Sequence, residues 1–529
     1  MVEIDPWWKT GVLYQIYPRS FADSNGDGHG DLRGVIDHLD HLAWLGIDGI
    51  WLSPITTSPQ ADWGYDVADY TGIDPDFGDL DDLDDLISQA GSKGIRVLLD
   101  LVPNHTSDRH PWFLDARSDR GAAHRDWYVW ADPKRDGSVP NNWRSFVGGP
   151  AWTWDDRTGQ YYLHNFLPEQ PDLNWWNPDV ADAFDDILRF WFDRGIAGFR
   201  IDVAHALIKD RSLRDDSPAL ETDHPSIRRF GLRSDFSMNR PEGHDVLRRW
   251  RKIADAYEPG RLLLGETWVL DLEALARFYG DQGNELHLAL NVPFVLSSLG
   301  PELRSIVETT QTLLPPLAWP LWNASNHDAG RFPTRWADDD EGKSRAALLI
   351  LLTLRGTPLL YYGDEVGMRN VEIPRDRLRD PIGLAHWPED PGRDHGRTPM
   401  PWTSEPNGGF TAPGLETWLP IGELSRNVAD QRDDPGSMLT FCRELIALRR
   451  AREDLRSGDS APADAPEGVW AWRRGADTVI AVNQGEAPAD LAAGNATILL
   501  GTDPGRAGER AAPGIRLDPW EAVILEVAG

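Results

Sequence analysis

The chain has 529 residues, 40% hydrophobic and 26% charged, and its 53 Lys and Arg against 85 Asp and Glu give a formal charge of −32. That length and composition suit a globular barrel with additions and exclude a single small domain. A field of this sign repels phosphate backbones and anionic lipid, so nucleic acid and acidic membrane surfaces are excluded as partners.

Candidate strands follow in chain order at residues 12–21, 49–54, 96–104, 198–203, 262–267, 286–291, 319–326 and 358–364. Helical stretches lie between them at 32–45, 80–93, 180–194, 245–257, 299–314 and 343–354. Continuous apolar strands alternating with helices predict a parallel sheet, and eight such units predict a closed (β/α)8 TIM barrel. Two connections are too long to be simple loops. Residues 105–173 read as an inserted domain between 1–104 and 174–456, the two parts of the barrel. Residues 367–413 form a second insertion, rich in Pro, Arg and Asp. Short strands at 469–473, 478–483, 496–500 and 522–527 predict a C-terminal antiparallel β-sandwich over 457–529. Cys442, the only cysteine, lies in the helical stretch 438–449 and reads as a buried thiol. No run approaches the ~20 apolar residues of a membrane span. The start Met1–Trp8 has no basic segment followed by an apolar one, so a cytoplasmic location is expected.

Chemistry gathers where the strands stop. The third ends in Asp100, Asn104 and His105, the fourth in Arg200, Asp202 and His205, the fifth in Glu266, and the seventh in His327 and Asp328. Buried strands avoid unpaired carboxylates because desolvating them is costly. Acids just past four apolar runs therefore point to the C-terminal, catalytic face of a barrel. Cleavage of a glycosidic bond needs one carboxylate as nucleophile and one protonated carboxyl for the leaving oxygen. Arg200, two residues before Asp202, points to the same face of its strand and would keep that carboxylate ionised. A drier site would raise the pKa of Glu266.

These segments resemble the α-amylase superfamily, glycoside hydrolase family 13, in its oligo-1,6-glucosidase/α-glucosidase branch. The likeness spans nearly the whole chain. It rests on the segments at 100–105, 198–202, 265–266 and 326–328 in order, with Gln170–Asn174 and Gly396–Trp402 as branch markers. It implies Asp202 as nucleophile, Glu266 as acid/base and Asp328 as transition-state stabiliser. It further implies that Asp66 holds the terminal glucose with His105, Arg200, His327 and Arg331. Tyr65 would lie under the ring, Phe166 and Gln170 would wall the pocket, and Val203 would face the leaving sugar.

The loop Asp23, Asn25, Asp27, His29, Asp31 offers oxygens at alternating positions, His29 through its carbonyl, as calcium loops do. Similar proteins carry one calcium there, and magnesium would suit a tighter cavity. The expected protein is an exo-acting retaining α-glucosidase for short oligosaccharides, α-1,4 preferred, monomer or homodimer, with no organic cofactor. Its rivals are an oligo-1,6-glucosidase and a glucosyl-transferring, sucrose-active or trehalose-forming enzyme with the same nucleophile. A non-catalytic transporter-subunit-like protein conflicts with the three carboxylates and with the lack of a span.

Overall fold

The computed structural model describes residues 5–527. Eight parallel strands are β1 (Leu13–Ile16), β2 (Gly49–Leu52), β3 (Arg96–Leu101), β4 (Gly198–Ile201), β5 (Leu262–Gly265), β6 (Leu288–Ala289), β7 (Leu321–Asn323) and β8 (Thr357–Tyr361). They pair in the order β6-β5-β4-β3-β2-β1-β8-β7. Because β8 pairs with β1, Leu13 opposite Leu359, the strands follow one another around a near-barrel in chain order, with β6 and β7 as its two edges. Side-chain alternation explains why whole strands are apolar. Leu13, Trp51, Leu98, Leu262, Leu264, Leu288, Leu321 and Leu359 fill the interior, while Tyr14, Ile50, Val97, Phe199, Leu263 and Leu360 face the surrounding helices. Every strand stops short of its predicted end, where the chain leaves the ladder and presents polar side chains.

The helices lie where periodicity predicts, with one break. The stretch 32–45 is two helices, Leu32–Asp37 and Leu39–Leu45, parted at His38, whose ψ of 8° leaves the helical region. Pro178–Asp193 shows how such helices are specified. The Asn177 side chain accepts the Asp179 N–H, Pro178 opens the first turn, and Val180, Phe184, Leu188 and Trp191 bury one stripe against the core.

The insertion after β3 holds a three-stranded antiparallel sheet, Trp130–Ala131, Gln160–Leu163 and Trp152–Asp155, over a small core of Trp143, Ala151, Trp152 and Leu163. A third long connection, residues 202–242 after β4, carries only the short helix Pro225–Phe230 and was not among the insertions predicted. Its Phe230 stacks on Phe146 with centroids 5.1 Å apart, and its Arg229 pairs with Asp390 at 3.0 Å. It thereby spans from the first insertion to the one after β8.

The C-terminal region forms a six-stranded antiparallel sheet and a two-stranded one, Ala489–Ala492 with Gly514–Leu517. Within Val469–Arg474, Val469 and Ala471 face the smaller sheet through a shared core. Trp470 and Trp472, on the opposite face, join the barrel's outer core. Among the described residues no helix is long and apolar enough to cross a membrane. Cys442 is free and buried.

Candidate active site

One guanidinium organises the strand ends. Arg200 Nη1 donates to Asp202 Oδ1 at 2.6 Å and to Asp100 at 2.9 and 3.2 Å, and Nη2 lies 3.0 Å from Glu266 Oε2. Trp51 lies beneath the guanidinium, 5.0 Å from its carbon, and its Nε1–H donates to Asp100. Three carboxyls thus share one buried cation. Burial pushes Asp202 up and Asp100 up to about 7, and Arg200 opposes both shifts. Arg200, expected to keep Asp202 ionised, divides its charge among three acids.

Glu266 follows Gly265, where a Cβ would collide with Leu286. Glu266 Oε2 also accepts the Val203 N–H at 2.9 Å. Val203 has φ of +47°, a costly conformation for a β-branched residue. Oε2 is thus engaged by the Val203 N–H and by the Arg200 guanidinium. Asp328 is set differently. Burial alone would raise it, but the guanidiniums of Arg393 and Arg397 hold its carboxyl below the usual carboxylate range.

Tyr65 and His327 form the floor. Their rings are parallel within 2° and 5.4 Å apart, and the Tyr65 hydroxyl lies 2.6 Å from His327 Nε2. Burial holds His327 neutral, down to about 3, and the Gln15 amide beside Nδ1 at 2.8 Å orients it. His105 spends its Nε2 on the Tyr65 carbonyl at 3.0 Å, with the Gln170 amide 3.1 Å away and Phe166 beside its ring.

Two expected sugar contacts lie elsewhere. Asp66 is fully buried, and its oxygens accept Ser58 Oγ–H and the N–H groups of Ala61 and Asp62, each at 2.9 Å. Burial raises it to about 6 while those bonds oppose the rise. It ties a turn. Arg331 is likewise fully buried, donating to the Tyr362 carbonyl at 2.6 Å and packed against Tyr361 and Tyr362. The polar groups that do face the cavity there are Asp62 and Arg393, paired at 2.5 Å, with Arg393 also bonded to Asp380. Asp62 lies four residues from the position singled out. Arg393 and Arg397 come from the insertion after β8, where no periodic pattern marks a functional side chain.

A cavity of about 1240 Å³ opens above this floor, lined by Asp202, Glu266, Asp328, Tyr65, His105, Phe166, Gln170, Val203 and His327. The unpredicted connection contributes Thr222, His224, Arg229, Phe230 and Met238, and the insertion after β8 contributes Ile382 and His386. All three long connections therefore wall one chamber. Its barrel half is the arrangement in which acids past parallel strands act on a bound sugar.

The α-amylase catalytic-domain family matches residues 15–458. The chain belongs to that family. Its relatives include the "Probable alpha-glucosidase" of Rhizobium meliloti, 44% identical over 86% of this chain and 84% of that one. The "Oligo-1,6-glucosidase" of Heyndrickxia coagulans is 37% identical over 85% and 86%. The crystal structure of the α-glucosyl transfer enzyme XgtA superposes with a TM-score of 0.92 at 39% identity, covering 99% of this chain and 100% of that one.

The first connection of this α-amylase-family barrel holds the predicted oxygen loop. Asp23 accepts the N–H groups of Asn25, Gly26 and Gly28, Asn25 that of Asp27, and Asp27 that of His29. The His29 ring is engaged by Arg19 at 2.8 Å. Asp31 caps the helix Leu32–Asp37 through Gly34 N–H and accepts both Ser24 N–H and Oγ–H. Among the described residues no group of three His, Cys, Asp or Glu side chains is arranged to hold a metal ion.

Proposed function

We propose that the protein is an exo-acting retaining α-glucosidase that removes glucose from the non-reducing ends of short α-glucosides. The observation that carries this reading is the bridging of Asp202 and Glu266 by one guanidinium. A guanidinium shared by the two carboxyls limits how far apart they sit, which supports the shorter separation of retaining enzymes over the wider one with which inverting enzymes make room for a water. Asp202 attacks the anomeric carbon while Glu266 gives its proton to the leaving oxygen. Water then enters, Glu266 takes a proton from it, and the glucosyl–Asp202 bond breaks with net retention. Asp328, kept ionised by its cations, stabilises the positive charge developing on the ring. The Asp62–Arg393 pair at the far wall supports an end-on pocket for one terminal glucose, and the enclosing connections disfavour the middle of a polymer.

Linkage preference follows the wall beyond Asp202. Val203 packs there with Ala206 and Met238 against Phe146 and Phe166. Wall shape of this kind is worth only about 1–3 kcal/mol between linkages. The expected result is a higher kcat/KM on maltose than on isomaltose, with little activity on starch. A tenfold advantage for isomaltose would overturn the α-1,4 assignment. The likeness to an α-glucosyl transfer enzyme favours a second reading, in which a sugar replaces water. With an aryl α-glucoside as donor, whose leaving group is a phenol, glucosyl products outnumbering free glucose at millimolar acceptor would select it.

The loop of Asp23, Asn25, Asp27 and the His29 carbonyl is also proposed to hold calcium. Its donors are all hard oxygens, and Asp27 Oδ2 accepts no protein hydrogen bond. Asp31, with its duties as a cap, is the least available of the five. A bound ion would neutralise this acidic loop far from the chemistry. Chelation is then expected to lower Tm more than it lowers specific activity at 25 °C. An unchanged melting curve would retire the calcium assignment.

A further inference from the structure

We propose that His205, which no expected role covers, is a positioning residue that fixes the acid/base Glu266 against the nucleophile's loop. The inference rests on the reading of Glu266 as acid/base and goes beyond it. The segment after β4 and the segment after β5 are joined side by side. The Val203 N–H donates to the Glu266 carboxyl at 2.9 Å and the Ala204 N–H to the Glu266 carbonyl at 3.0 Å. His205 Nδ1 supplies the third tie, accepting the Trp268 N–H at 3.2 Å two residues past Glu266. A main-chain N–H can only donate, so Nδ1 accepts and Nε2 carries the proton. Nε2 is buried with no hydrogen-bond partner, and the side chain is 6% exposed. Burial holds the ring down to about 4, so it stays a neutral acceptor at working pH.

An orphaned buried donor is a poor choice for packing alone, where an apolar side chain would serve better. It is tolerated because the acceptor on the other side of the ring clamps residues 266–268. The His205 carbonyl also accepts the Asn239 N–H at 2.6 Å, which links the same point to the connection that roofs the cavity. Without the clamp, the strained turn at Val203 would relax and Glu266 would lose its aim.

Misplacing an acid matters only where the leaving group needs a proton. The test compares maltose with an aryl α-glucoside whose phenol is strongly acidic, in wild type, Glu266→Gln, His205→Leu and His205→Asn. His205→Leu is expected to lose about 10–100-fold in kcat/KM on maltose and only a few-fold on the aryl glucoside. His205→Asn, which keeps an acceptor near the Nδ1 position, is expected to recover most of the maltose loss. Equal losses on both substrates, or no rescue by asparagine, would overturn the positioning role. Glu266→Gln is the internal control. If it spares maltose hydrolysis, the acid/base reading itself fails, whatever the His205 variants do.

Discussion

Asp202→Ala is expected to lower kcat by at least about three orders of magnitude, and Glu266→Gln to do the same on maltose, because each removes one half of a double displacement. Neither change is expected to unfold the protein. Removing one of three carboxyls around Arg200 leaves the cation paired with the other two. Equal melting temperatures with lost turnover would separate chemistry from stability. Proton NMR of the first sugar released by the wild type is expected to show α-glucose. Initial release of the β-anomer would mean inversion and remove Asp202 from the nucleophile's place.

Arg200→Met is expected to act on both activity and folding. The side chain is 1% exposed and is the shared partner of three carboxyls. Removing one partner of a buried ion pair costs about 3–5 kcal/mol, since the charges left behind are uncompensated. The sign of the pH effect follows. Burial already raises Asp202, and Asp100 to about 7. Without the guanidinium both rise further, so the folded state holds protons that the unfolded chain has released above pH about 4. Stability of the variant then falls as pH rises through that window and recovers as pH drops. Denaturant unfolding at pH 5 and pH 8 measures it. A deficit that is the same at both values would show that Arg200 contributes packing and not charge compensation.

The barrel and its acids were legible in the sequence because two periodic signals coincide. Strands buried on both faces read as unbroken apolar runs, and a charged residue just past such a run has few structural excuses. Asp62 and Asp66 show where that reasoning stops. Both lie on one short turn, with Trp63 at φ +52° and Gly64 at φ +104°. Only the turn's path decides that Asp66 looks inward to the N–H groups of Ala61 and Asp62 while Asp62 looks out. Arg331 misled for a similar reason. It stands three residues past Asp328, but the chain turns there and buries its guanidinium against Tyr361 and Tyr362. The connection at 202–242 escaped notice because its residues show neither helical nor strand periodicity.

The way β8 returns to β1 has a kinetic consequence. The contacts that complete the site join residues far apart in sequence: Gln15 with His327 across 312 positions and Asp62 with Arg393 across 331. Loops of that length are closed late, after local helices and neighbouring strands have formed. On a ribosome adding ~5–20 residues per second, more than 300 residues separate the first strand from its final neighbour by roughly 15–70 s. During that interval Asp202 and Glu266 are already made, yet the floor under the sugar and the cations around Asp328 are not. A nascent or truncated chain therefore carries the carboxyls of the cluster without the wall that encloses them, and the cavity is complete only once β8 has paired with β1 and the insertion after it has brought in Arg393 and Arg397.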